Sequence, residues 1–346
     1  MKILFFLAQF LILPHCCLIK IIAEPITLKH GSKAVTSIVI IEEMDGEALL
    51  ATAAGEKNIK LWKLSDGTLY KILEQPEKIS FLATAFHWKK NLIAAANRRG
   101  FVSLLNLQEN SLYKKTYDLH INAIEIAQTL TASPCVVCGC SNGEVRVPKV
   151  NDDNSFFGGP KIFKYDAYVN AVLSVKIEEK ECIVVSGSKD HLEIFAVNDL
   201  EVKRTLQCKQ WINSIAKIQT GNDLWVIGGS LGKVFIWNMS NPFGQDLKLE
   251  LSVNSQSPLC VAAAATNAGR FVIGGSDNGV LIWNLRGEHI NTLGSNCGEA
   301  SIITSVVIKE INGMIYIAAG SKDGSVRIWS FYNVIDQYDR DWCTVS

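Results

Sequence analysis

Short apolar runs recur along almost the whole chain, rich in Val and Ile and closed by Gly, Asn, Asp or Ser. In the last full unit they are SIITSVVI, MIYIAAG and SVRIWSF. Many alternate apolar with polar positions, the period of a half-buried strand. Amphipathic patterns of helix length are absent, so the predicted elements are all strands.

The runs fall into a register. Seven strings share a small-residue turn followed by a strand: GEKNIKLWKL (55–64), NRRGFVSLLNL (97–107), GCSNGEVRVPKV (139–150), GSKDHLEIFAV (187–197), GGSLGKVFIWNM (228–239), GGSDNGVLIWNL (274–285) and GSKDGSVRIWSF (320–331). Near the end of each lies one slot, filled by Trp62, Leu105, Pro148, Phe195, Trp237, Trp283 and Trp329 in turn. Successive slots are 43, 43, 47, 42, 46 and 46 residues apart.

A second motif keeps phase with the first. It reads Val35-Thr36-Ser37-Ile38, Ile121-Asn122-Ala123-Ile124, Val169-Asn170-Ala171-Val172, Ile212-Asn213-Ser214-Ile215 and Ile303-Thr304-Ser305-Val306, with looser copies at Ile79–Leu82 and Pro258–Val261. Its last residue precedes the slot by 22 to 24 residues in every unit. Four strands per period of this length is the spacing of a propeller blade. A lone blade cannot bury both faces of its sheet, whereas seven packed radially can, and they also hide most strand edges.

The strings, best formed at Gly320–Trp329, resemble WD40 repeats, and the resemblance covers about residues 25 to 331. It implies an all-β fold: a single seven-bladed β-propeller of four-stranded antiparallel blades, the ring closed by an N-terminal strand, here Pro25–His30. The repeats are degenerate. No Asp follows the Trp slot, which is followed by Lys63, Asn106, Lys149, Ala196, Asn238, Asn284 and Ser330. In the family a His ahead of the first strand and an Asp in the turn between the second and third strands join Trp and Ser in a hydrogen-bonded network. His30 and Asp323 are the nearest matches, so a buried Trp in the other blades needs a different acceptor for its N–H. Pro148 donates no ladder hydrogen bond, which makes blade three the least regular. The long connection Asn151–Pro160 carries Phe156 and Phe157, either as a partner contact or tucked under that blade.

The expected organisation is an apolar N-terminal segment (1–23), the propeller (24–331) and a tail (332–346). In the first segment Lys2 precedes the apolar run Ile3–Leu13 and then Pro14, the order of a signal peptide. Ile21 spoils the cleavage site, and Pro14, His15 and Lys20 interrupt a clean span. Signal peptide, membrane anchor, apolar tail and a start elsewhere all stay open.

Composition narrows the chemistry. Lys plus Arg equals Asp plus Glu at 34 each, without the basic excess of a nucleic-acid binder. The ten cysteines are scattered, unlike a disulfide framework, and favour the cytoplasm over an oxidising compartment. Cys135–Cys140 reads as a strand with small buried thiols rather than a metal site. The string Gly228-Gly229-Ser230-Leu231-Gly232 spells the G-x-S-x-G of a hydrolase elbow, but KVFIWNM after it reads as a strand where an elbow needs a helix. Gly274–Gly279 lacks the ending of a phosphate loop. The six histidines form no cluster in sequence. No catalytic residue, cofactor or metal is expected.

By resemblance, partners dock on the face that carries the loop before each first strand and the turn between second and third strands. The residues just before the motif are Ala34, Lys78, His120, Tyr168, Trp211, Ser257 and Ile302. Aromatics and Arg are enriched at binding hot spots, which selects Trp211, Tyr168, His120 and Lys78, with Arg98 and Arg99 in the turn of blade two. The alternative for Trp211 and Tyr168 is packing over the blade ends. The expected function is a non-catalytic scaffold or adaptor for protein or peptide partners, a monomeric ring within a complex. The alternative is a secreted or membrane-anchored propeller, attached only through residues 1–22.

Overall fold

The computed structural model describes residues 19–21 and 24–333, apart from 45, 88–89, 128–134, 151–155, 179, 198–201, 221–222, 240–246, 278 and 295–301. These form seven antiparallel sheets arranged as the blades of a propeller. The first strands are Ser37–Met44, Phe81–His87, Ile121–Ala127, Val169–Ile177, Ser214–Thr220, Cys260–Thr266 and Ile303–Ile311. They line a central channel, and each blade runs outward from there in sequence order. The slot residue lies on the third strand.

Burial follows the pattern that the sequence predicts. Third strands such as Phe101–Asn106 are buried on both faces and read as continuous apolar runs. The outermost strand of the same blade, Ser111–Thr116, alternates half-buried with exposed positions. In five blades the ladder between third and fourth strands slips at the slot, as at Leu61/Trp62, Ile236/Trp237 and Ile282/Trp283. The fourth strand carries the extra residue, a β-bulge that sharpens the local twist. In blade three the slip spans Pro148, which sits unpaired between Val147 and Lys149, a place where its missing N–H costs no rung. The side chains of Phe156 and Phe157 and the loop before them lie outside the described residues.

The phased motif is the joint between blades. Its third residue pairs across the first hairpin with a small residue in every blade: Ala53, Ala96, Gly139, Ser186, Gly229, Gly275 and Gly320. Onto that small residue pack the motif's outer positions from the next blade. A Cβ on Gly139 would stand 2.4 Å from Val169, one on Gly275 2.4 Å from Ile303, and one on Gly320 2.5 Å from Val35. The polar middle positions then stitch blade to blade. Asn122 donates to the Val169 carbonyl (3.1 Å), Asn170 to that of Ile212 (3.3 Å), and Thr304 to that of Val35. Ser37, Ser214 and Ser305 accept the N–H groups of Leu82, Val261 and Ile38 at 3.1 to 3.2 Å. Each bond contributes roughly 1 kcal/mol, and each removes an otherwise unpaired group from the joint.

Ring closure matches the expectation. Ile26–Lys29 pairs with Ser325–Ile328 as the fourth strand of blade seven. A further rung set, Ile19–Ile21 against Phe331–Asn333, extends the same edge, past the boundaries drawn at 23 and 331 from sequence. The apolar run Ile3–Leu13 lies outside the described residues. Among the described residues, no helix is long and apolar enough to cross a membrane.

Two of the buried slot tryptophans, Trp62 and Trp237, find their acceptors by different routes. In blade one Trp62 donates to Thr52 Oγ1 (2.9 Å), and His30 Nδ1 meets the same oxygen at 2.7 Å, so the His-containing network does form there. Burial, then Lys60, lowers the His30 pKa to about 4, against the pull of Glu56. The ring is therefore neutral at physiological pH. In blade five Trp237, fully buried, donates instead to the main-chain carbonyl of Gln207 at 3.4 Å. In blade two Gln75 is buried and accepts from Ser103 at 2.9 Å. Asp323 caps its own turn, accepting from Ser321 Oγ and from the Ser325 N–H. Burial opposes its ionisation, but these bonds and Lys29 outweigh it and hold the carboxyl down to about 2.

Candidate functional site

Ser230 ends the second strand of blade five, Asp223–Ser230, and the third strand starts at Lys233. Only Leu231 and Gly232 lie between, the latter at φ +66°, so strand–turn–strand replaces the strand–turn–helix of an elbow. The hydroxyl is buried and donates to the Trp211 carbonyl at 2.6 Å, with Gln210 Oε1 at 3.0 Å. Gly228 and Gly229 serve packing: a Cβ there would meet the Trp237 ring at 2.9 Å and the Leu259 carbonyl at 2.5 Å. The glycine string therefore anchors the loop that presents Trp211.

Trp211 is 62% exposed and Tyr168 47%. Tyr168 is held by its backbone, its N–H on Ser188 Oγ and its carbonyl accepting the Ser188 N–H, both at 3.0 Å. Leu231, which the sequence reading did not select, is 55% exposed and bridges Pro258 of blade six. Five sister turns carry Arg98, Ser141, Ser188, Asp277 or Lys322 at its place; an apolar residue at that turn position was the signal available.

The basic residues gather on blade two. Asn97 donates to the Lys78 carbonyl (2.9 Å) and accepts from the N–H groups of Arg99 (2.8 Å) and Phe101 (3.1 Å). One buried side chain thus binds the loop of Lys78 to the turn of Arg98 and Arg99. Gly100 then fits beneath the next loop, where a Cβ would stand 1.9 Å from the Tyr117 carbonyl. That loop leads to His120, whose carbonyl accepts from Ser141 N–H at 2.9 Å. Lys78, Arg98, Arg99, His120, Tyr168 and Trp211 are all exposed. They form a crescent over blades two to five, while Ala34, Ser257 and Ile302 on the remaining blades are half-buried. Inside the crescent the channel opens into a cavity of about 340 Å³ lined by the motif residues.

The thiols sit in the walls. Cys135–Cys140 is a second strand, with Cys138 and Cys140 buried between blades two and three. Burial pushes Cys140 up to about 11 and Cys260 up to about 12, so neither is a thiolate at neutral pH.

A family model, WD domain, G-beta repeat, matches residues 289–330, the last blade and its approach. No curated protein matches the chain. Propellers of this family generally serve as protein-interaction scaffolds and are typically non-catalytic. One matched repeat, in a ring of seven four-stranded blades built on one plan, is consistent with the WD40-repeat family, and the fold itself is a seven-bladed β-propeller.

Proposed function

We propose that the chain is a non-catalytic scaffold that docks protein or peptide partners on the crescent of Trp211, Tyr168, His120, Arg98, Arg99 and Lys78. The supporting observation is the exposure of Trp211 on a loop fixed from beneath by Ser230. A large aromatic held rigid and solvent-facing loses little entropy on binding, and Trp is a preferred hot-spot residue. Trp211→Ala should reduce capture of partners by the immobilised ring while the melting temperature moves by no more than a degree or two. A large fall in melting temperature with capture unchanged would instead assign Trp211 to packing. Ser230→Ala should abolish no hydrolysis, and a serine-reactive probe should leave Ser230 unlabelled.

A further inference from the structure

Resting on that docking reading, we infer the chemistry of the occupant: an extended peptide segment of a partner protein that carries several Asp or Glu side chains and, beyond them, large apolar ones. The acidic part lies over Lys78, Arg98 and Arg99, and the apolar part over Tyr168, Trp211 and Leu231.

The first observation is which cations are left over. Among the described residues many basic side chains are engaged, whereas those of Lys33, Lys57, Lys209 and Lys322, single cations on other loops of this face, stand without an ion pair or side-chain hydrogen bond, and only blade two gathers three such cations. Lys29 donates to the Asp323 carbonyl and Lys60 to that of His30. Lys189 pairs with Glu193, Lys233 with Glu250, and Arg146 and Lys164 with Glu144. Among the described residues, no ion pair or side-chain hydrogen bond takes up Lys78, Arg98 or Arg99. Glu77 stands on the loop of Lys78 and Asp118 on the adjoining loop of His120, yet among the described residues neither pairs with these cations. Three cations on one braced corner, pointing to solvent, attract an anionic partner and speed its arrival.

The second observation decides between carboxylates and a phosphate. A phosphate pocket on a turn normally uses converging backbone N–H groups. Here three of the turn's N–H groups are spent on Asn97. The N–H groups of Arg99 and Phe101 go to Asn97 Oδ1, and that of Gly100 to the Asn97 carbonyl. What remains are separate side-chain charges on two loops, a better match to several spaced carboxylates than to one compact dianion.

The third observation is the opposite end. Tyr168, Trp211 and Leu231 are three of the large apolar side chains most open to solvent, and all three stand on this face. The other prominent ones, Leu69, Ile72, Leu112, Ile162 and Val202, lie on the outermost strands. A basic end and an apolar end on the same rim call for an occupant with the same polarity along its length.

The test uses the full chain and fluorescein-labelled peptides read by anisotropy. The main probe has a run of alternating Asp and Glu, a Gly-Ser spacer and a terminal Leu-Phe-Leu. Three further probes carry Asn and Gln for the acids, Ser for the apolar residues, or one phosphoserine for the acidic run. The main probe should bind tightest and weaken as salt rises to roughly 0.5 M. Arg98→Ala with Arg99→Ala should weaken it about tenfold at low salt and less at high salt. Trp211→Ala should weaken it at least about tenfold at both. Because all three side chains are exposed, unchanged melting temperatures will show that the variants fold. Equal binding of the neutral probe, tighter binding of the phosphoserine probe, or indifference to the Arg98/Arg99 double substitution overturns the inference. If Trp211 still matters in those cases, the docking face survives its failure. If no probe binds, the acidic–apolar assignment is overturned; if Trp211→Ala also captures the same partners as wild type, the docking face fails with it.

Discussion

Two titrating side chains work against each other. His30 is buried neutral with its pKa lowered to about 4, so acid favours the unfolded chain, which binds the proton more readily. Its contribution is complete above the ordinary value near 6.5 and is lost as pH falls from there to about 4, roughly 3 kcal/mol in all. Glu125 has the opposite sign. Burial pushes its carboxyl up to about 7, against the pull of Lys217 and a hydrogen bond from Ser174 at 3.2 Å. Stability is therefore lost as pH rises through the window from its ordinary value to about 7. The two slopes oppose each other between about pH 4.5 and 6.5. Urea titrations across that window should give a shallow profile for wild type. Glu125→Gln should tilt it so that stability rises with pH, and His30→Gln so that it falls. If both variants track wild type, these two groups do not control acid stability. Neither role was legible in the sequence. His30 could be matched to a family position, but whether it is charged depends on Lys60, Glu56 and its burial. Glu125 is an ordinary strand residue until blade four covers it.

The motif and the glycine strings make one joint at the scale of the strand pair. The sequence shows both in phase, and that was enough to count the blades and place the closing strand at Pro25–His30. It does not say why the middle of the motif is polar. The answer needs the neighbouring blade: Thr304 and Ser305 reach across to blade one, some 270 residues earlier in the chain. The joint makes two predictions. Gly320→Ala places a methyl against Val35 and should cost about 1 to 3 kcal/mol by overpacking, read as a lower denaturant midpoint with the slope unchanged. Ser230→Ala should cost roughly 1 to 2 kcal/mol by leaving the Trp211 carbonyl short of its buried donor. It should also speed amide exchange in the 209–213 loop, where a hydroxyl without structural work would leave exchange unchanged.

For the whole ring, the side opposite the crescent is held by polar contacts that pass from blade to blade. Lys217 reaches the Ser174 carbonyl and Gln219 that of Lys176, joining blades four and five. Arg270 takes Thr220 and Asp223, joining five and six. Asn267 binds Glu310, joining six and seven, and Lys309 pairs with Glu42, joining seven and one. Most are exposed and individually weak; together they tie blades four to seven, and blade seven to blade one, along that side. Closure depends more on the main chain of Ile26–Lys29. Deleting residues through Lys29 should expose the edge of Ser325–Asn333, broaden the thermal transition and promote self-association. Light scattering and calorimetry would detect both, and a sharp, monomeric transition in the shortened chain would refute the dependence.

The closing ladder also has a mechanical direction. Ile19 stands opposite Asn333, and Lys29 opposite Ser325. The chain therefore enters and leaves the ring side by side, at the same end of one antiparallel pair. Pulling on the flanking segments loads the rungs one at a time, as in a zipper, rather than together in shear. The ring should open at low force from blade seven, whereas a tether attached to two other blades would have to shear whole sheets. A partner that grips both flanking segments could thus pry the ring open at its seam, and one that binds across blades two to five would leave that seam untouched.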